Sequence, residues 1–233
     1  GLGEGVLLGV KRAIGEDLEE VFRTVGIIHI VVLSGYNIMI VAEWVMRFFG
    51  LFFYPKTRLV LGLSTIVLFA LMVGLSATVV RAAIMVALVI IARALGRPFA
   101  ALRALACAGT VMILHNPYLM VFDPGFQLSF LATLGLVLLS DPLKKRMTLV
   151  PEEIRGVLST TLATQLCVLP LILFSIGTLS VVSILANILV LPLVPPAMLL
   201  TFLTGVVGVL APSLGVLTGL CAHIVLMYII TVG

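Results

Sequence analysis

Asp123-Pro124-Gly125-Phe126-Gln127-Leu128-Ser129, with the apolar run that continues to Leu139, decides how this chain is read. Seven residues place a carboxylate, a helix-interrupting Pro-Gly pair, an amide and a hydroxyl at the head of an apolar segment. Irregular backbone and polar side chains at membrane depth are tolerated only where protein packs on them or water fills a cavity. The stretch therefore faces inward, toward whatever the protein handles.

The sequence on either side sets the class. Of 233 residues, 62% are hydrophobic and 10% charged, against about 45–50% apolar and about 25% charged in soluble domains. The apolar runs are continuous and lack the alternation of a barrel strand. The expected fold is all-α: a polytopic transmembrane helix bundle of about seven or eight membrane segments. An amphipathic interfacial helix over residues 1–26 precedes the transmembrane domain, 27–233. In it Leu7, Val10, Ile14, Leu18, Val21 and Val25 recur at helical spacing, opposite a charged surface. The first residues lack a signal-peptide pattern, and neither end carries structural punctuation, as in a portion of a longer chain.

Taken in order, the runs are Ile27–Phe49, Leu59–Val73, Val79 to about Ala92, Ala104–Leu114, Phe126–Leu139, Val157–Ile176, Leu179–Leu203 and Leu214–Val232. The fourth falls short of the roughly 20 residues a span needs, so it extends back through Phe99, tilts, or crosses only in part. A charged loop is expected between Asp141 and Arg155. Beyond Arg155 no Lys, Arg, Asp or Glu appears. Ten of the fourteen basic residues fall in loops that alternate to one side: Arg47, Lys56, Arg58, Arg93, Arg97, Arg103, Lys144, Lys145, Arg146 and Arg155. That side is expected to be cytoplasmic. The N-terminal segment, the 74–78 turn and Asp123 then face outside, provided the short fourth run crosses.

No phosphate-binding glycine loop, metal-ligand cluster or paired-carboxylate site is present, and no cofactor, metal or enzymatic activity is expected. His29, His115 and His223 lack ligand spacing. Cys107, Cys167 and Cys221 are too scattered for a disulfide framework or a zinc site, and read as buried thiols. A Ser34/His223 intramembrane hydrolase carries little weight, since nothing places a base beside Ser34. The polar groups inside helices say more. Ser and Thr at helical spacing, such as Thr161 and Thr164, read first as interhelical glue. The amides Asn37, Gln127, Gln165 and Asn187 are evenly balanced between glue and the lining of a wet path. Arg81 either snorkels to the interface or turns inward, offering a cation to an anionic substrate or pairing with Asp123. Glu43 is accounted for by Arg47, four residues on.

Three segments together resemble the membrane competence domain of the ComEC family. They are His29-Ile-Val-Val-Leu-Ser34-Gly35-Tyr36-Asn37-Ile, Gly74-Leu-Ser76-Ala-Thr-Val-Val-Arg81-Ala82-Ala83 and Asp123-Pro-Gly-Phe-Gln127-Leu-Ser129-Phe. Gln165 with Pro170, and Ser183-Ile-Leu-Ala-Asn187 with Pro192, follow in order. The resemblance implies a multi-pass protein of the bacterial cytoplasmic (inner) membrane that conducts single-stranded DNA into the cytoplasm during natural transformation. It implies as partners single-stranded DNA, the lipid bilayer, other competence proteins, and outer-side OB-like and nuclease domains of the same longer chain. Where the family often has Ser-Gly-Leu-His, this chain has Ser34-Gly35-Tyr36-Asn37, which removes a titratable group from that position. The expected substrate path comprises Ser34, Asn37, Arg81, Asp123, Gln127, Gln165 and Asn187. Asp123, which repels phosphate, is expected to orient Arg81 or satisfy backbone donors, leaving Gln127 to face the path. The competing readings are a secondary transporter of a small anionic solute and a membrane anchor for a fused enzyme.

Overall fold

A computed structural model describes residues 35–175 and 182–232. The N-terminal segment and Ser34 lie outside the described residues. The chain divides into two compact units, one of Ser34–Thr178 and one of Gly1–Leu33 with Leu179–Gly233. Among the described residues every regular element is helical, and five helices are long and apolar enough to cross a membrane. The protein is an all-α membrane helix bundle.

In the larger unit α1 (Gly35–Phe52) and α2 (Pro55–Val73) form a hairpin. Pro55 takes the first helical turn, where its missing N–H costs nothing. The second hairpin turns at Gly74, whose φ of +95° would strain any side chain. Ser76 then caps α3 (Ala77–Ala94), its hydroxyl accepting from the Val79 N–H. α3 is the hub of this unit. It packs on α1, α2, α4 (Ala101–His115) and α6 (Pro124–Arg146), burying Val79, Ala82, Val86, Val89 and Ile90.

α4 begins at Ala101, not at Phe99. Its 15 residues rise only about 22 Å, short of a bilayer core of about 30 Å. The chain nonetheless returns to the end it left. A Cβ placed on Gly125, at the start of α6, would lie 3.8 Å from Thr78 Oγ1, at the start of α3. α3 and α6 therefore begin at the same level and run together. Their C-terminal turns, with Arg93 and with Lys144, Lys145 and Arg146, form one basic end.

α6 runs further than its sequence suggests. It passes through Pro142 and ends at Arg146, where a charged loop was expected. Membrane helices tolerate a proline when neighbours satisfy the freed carbonyl, and three cations in the last turn complement the helix dipole. α7 (Glu152–Ser175) packs back along α6 more extensively than any other pair in the unit. The turn between them is held by Arg155, which donates to the carbonyls of Thr148 and Val150.

The smaller unit shows what prolines do to one long apolar run. α8 (Val182–Val190) gives way to a 3-10 turn over Leu191–Leu193, and α9 (Val194–Leu210) restarts the spiral. Pro192 cannot donate to the preceding turn, while Pro195 fits the opening turn of α9. α9 and α10 (Pro212–Val232) form a tight hairpin, in which a Cβ on Gly215 would come within 2.6 Å of the Gly208 Cα. Such small-residue crossings let membrane helices gain dispersion contact without a hydrophobic drive. Contrary to expectation the thiols are not all buried: Cys107 and Cys221 are exposed, and Cys167 is half-buried. On a bundle in lipid the exterior is itself apolar, so an exposed thiol there pays no solvation penalty.

Candidate functional site

The seam between α3 and α6 holds the one charged side chain that is buried among the described residues. Arg81 is 7% exposed. It sits five residues past the Ser76 cap, about 7 Å into α3, yet it bonds Thr133, ten residues past the Asp123 cap and about 15 Å into α6. Because the two helices begin together, the guanidinium lies deeper than its own backbone. A snorkelling arginine points the other way, back toward its helix N-terminus and the interface. Met85, one turn further in, lies 3.9 Å from the same terminal nitrogen. Arg81 turns inward.

Its partners are neutral. The Thr133 hydroxyl accepts from Arg81 Nη1 and donates to the Ser129 carbonyl at 2.9 Å. Arg81 Nε is buried without a partner among the described residues, and so is the Ser129 hydroxyl, one helical turn from Thr133 on the same face. Placing an arginine at the centre of a membrane helix costs about 2.5–3.5 kcal/mol on insertion scales. One hydrogen bond to a charged group returns about 1.5–3 kcal/mol. The seam is thus close to balanced but leaves a cation without a counter-charge among the described residues.

Asp123 does not supply that charge. Its carboxylate accepts from the Phe126 N–H at 2.9 Å and caps α6, with Pro124 in the first turn. The ion pair found among the described residues is Arg47–Glu43, at 2.8 Å on the outside of α1. Of the two roles expected for Asp123, it fills the one toward backbone donors. Gln127 works at the same corner. Its amide nitrogen donates to the carbonyls of Met120 and Val121, at 2.9 and 3.0 Å, tying α6 to the short α5 (Leu119–Phe122). Beside it lies an open apolar cavity of about 330 Å³, lined by Met120, Phe126, Gln127, Phe130, Leu131 and Leu171.

The remaining candidates are dispersed. Asn37 is fully buried in α1 and Gln165 half-buried in α7, each engaged by a partner. Asn187 is buried in α8 of the smaller unit, with its carbonyl oxygen unpaired among the described residues. The structure therefore brings Arg81 to Thr133, which sequence reading did not select, with Ser129 of the opening stretch one helical turn away on the same face of α6. A weak signal was present: Ser129 and Thr133 are four apart on the helix that begins at the opening stretch. Among the hydrogen bonds of the described residues the glue expected of the hydroxyls is scarce. Thr65, Thr110, Thr160, Thr164, Thr201 and Thr204 donate to carbonyls of their own helices.

Fold and seam together define a multi-pass helical membrane protein whose buried cation, between two parallel helices, has no counter-charge among the described residues. The chain belongs to the competence-protein family, which it matches over residues 6–233. It is 25% identical over 200 residues to ComE operon protein 3 of Bacillus subtilis (strain 168), an alignment that covers 82% of this chain. The same alignment takes in 24% of that relative, so the chain spans about a quarter of its length. No solved structure matches significantly.

Proposed function

We propose that this chain is the membrane-channel part of a DNA-uptake protein, which passes single-stranded DNA across the bacterial cytoplasmic membrane during natural transformation. Membership of the competence family supports the process, and Arg81 is the observation that supports an anionic passenger. A cation held at depth with no carboxylate against it among the described residues suits a polyanion that visits and leaves. A channel must bind weakly enough to release, and one cation among hydroxyls and amides meets that condition. The channel conducts and does no chemistry itself; cleavage of the incoming strand belongs to other domains of the longer protein or to other competence proteins. The basic end formed by Arg93, Arg97 and Lys144–Arg146 faces the cytoplasm and receives the emerging strand.

The test is transformation frequency in Arg81→Ala and Gln127→Leu variants, with membrane insertion checked in the same cells. Arg81→Ala lowers the frequency by roughly tenfold or more, the worth of one charge-assisted hydrogen bond. Gln127→Leu lowers it less, by loosening the α5–α6 corner. Normal uptake in both would remove these side chains from the mechanism. The second reading, a transporter of a small anionic solute, draws on the helix break at Leu191–Leu193. Solute flux in proteoliposomes that is indifferent to DNA would favour it.

A further inference from the structure

The seam between α3 and α6 carries more than a lone cation. We propose that Arg81, Ser129 and Thr133 form a buried binding site for one phosphodiester group, whose single negative charge completes Arg81.

Three observations converge. First, Arg81 is 7% exposed and its one bonded partner oxygen is a neutral hydroxyl, that of Thr133. Of the titratable groups on the helices packed against α3, Lys56 and Arg58 lie at the start of α2, where Arg58 Nε is likewise buried without a partner among the described residues. Glu43 pairs with Arg47 on the exposed face of α1, Asp123 caps α6, and Asp141 and the cations Lys144–Arg146 lie in its last turns. Arg103 opens α4 and His115 closes it. Second, Arg81 Nε is a buried donor with no partner among the described residues. Nε and a terminal nitrogen form the edge of the guanidinium fork that takes two oxygens of one anion in parallel. Third, the Ser129 hydroxyl is nine-tenths buried, unpartnered among the described residues, and one turn from Thr133 on the same face of α6. A hydroxyl with a free proton adds a further donor to the same anion.

The charge count selects a monoanion. A phosphate monoester, carrying close to two charges at neutral pH, would leave the seam with a net negative charge at membrane depth. A phosphodiester carries one charge on two equivalent oxygens, which match the fork, and it is found in two molecules available here: the backbone of a nucleic acid and the headgroup of a membrane lipid. The assignment of the strand as source rests on the conduction reading; the site itself does not.

The experiment follows the Arg81 Nε–H resonance in full-length protein labelled with [¹⁵N]arginine and held in alkyl maltoside, which contains no phosphate. The signal is assigned by its loss in Arg81→Lys. Dimethyl phosphate, oligothymidylate and phosphatidylglycerol are added separately, with sodium chloride at matched ionic strength as control. A saturable downfield shift with dimethyl phosphate and oligothymidylate, absent with chloride, supports the site and the strand as its source. Ser129→Ala raises the apparent Kd for dimethyl phosphate by about three- to tenfold, the loss of one hydrogen bond, while the other arginine signals stay in place. A shift with phosphatidylglycerol but not with oligothymidylate supports the site, assigns it to lipid and counts against conduction through this seam. No shift with any phosphodiester, or the same shift with chloride, overturns the proposal. In that case DNA uptake that still proceeds would leave the conduction reading standing.

Discussion

α6 has two seams, and they are built on opposite principles. Toward α7 it is tight. A Cβ on Gly135 would lie 2.4 Å from the Ala163 carbonyl and 2.9 Å from Cys167, so the two backbones touch where no side chain intervenes. Toward α3 the same helix offers Thr133 to a buried guanidinium, and Arg81 Nε and the Ser129 hydroxyl are left unpaired among the described residues. The first seam maximises dispersion contact, as lipid-embedded helices must when water supplies no hydrophobic drive. The second gives up such contact for polarity that stability alone does not require. A helix that packs rigidly on one side and imperfectly on the other fits a wall with a structural back and a working front. The sharpest way to break this contrast is at its tight side. Gly135→Ala presses a methyl into backbone that cannot give way, and overpacking of this kind costs about 1–3 kcal/mol or more. For a chain of this size that lowers the melting temperature in detergent by about 2–12 °C. An unchanged melting temperature would mean that the two helices separate freely, and the contrast would fail.

The polar side predicts the opposite pairing of effects. Arg81→Met removes a cation that has no counter-charge among the described residues and leaves an apolar side chain of similar length beside Met85. Replacing buried charge with packed apolar groups is commonly neutral or stabilising, so thermal stability holds or rises while DNA uptake falls by roughly tenfold or more. If the purified full-length protein binds single-stranded DNA through this arginine, the slope of log K against log salt also shrinks, by about 0.7 for one phosphate contact. A variant that loses stability and uptake together would make Arg81 a structural strut, and the two seams would differ in composition only.

Which parts of this were legible in the sequence follows from the range of the interactions. Glu43–Arg47, the turn at Gly74 and the carboxylate of Asp123 toward backbone donors are all set within a few residues, and spacing alone exposes them. The helix starts at Pro55 and Pro124 are as local, yet the apolar runs begin only at Leu59 and Phe126, and the Pro124-Gly125 pair reads as a break where it is a first turn. The self-bonding of Thr160 and Thr164 was equally local, yet composition suggested glue because hydroxyls in membrane helices are known for both habits. The continuation of α6 through Pro142 was hidden by its charges: Asp141 and Lys144–Arg146 read as a loop, whereas cations at a helix C-terminus are favourable. The partner of Arg81 could not be read at all. Thr133 is 52 residues away, and nothing in either local pattern distinguishes an arginine that turns inward from one that reaches for the interface. Only the level at which α3 and α6 begin decides it, through the approach of Thr78 to Gly125.

That shared level is held at the α6 end by Asp123, and here the smallest effect is the most discriminating. Asp123→Ala removes the acceptor of the Phe126 N–H and costs about 1 kcal/mol, or about 2–4 °C in melting temperature. Asp123→Asn keeps an oxygen in the same place and removes only the charge. If the carboxylate acts as a cap alone, the asparagine variant is close to wild type in both stability and DNA uptake, while the alanine variant loses some of each as α6 shifts against α3. If the negative charge itself is needed near the mouth of the seam, asparagine will fail in uptake without failing in stability. Measured side by side, the two substitutions separate a residue that sets the register of α6 from one that meets the passenger. The bond to Phe126, at ordinary length and with Pro124 already fixing the turn, places Asp123 on the side of register.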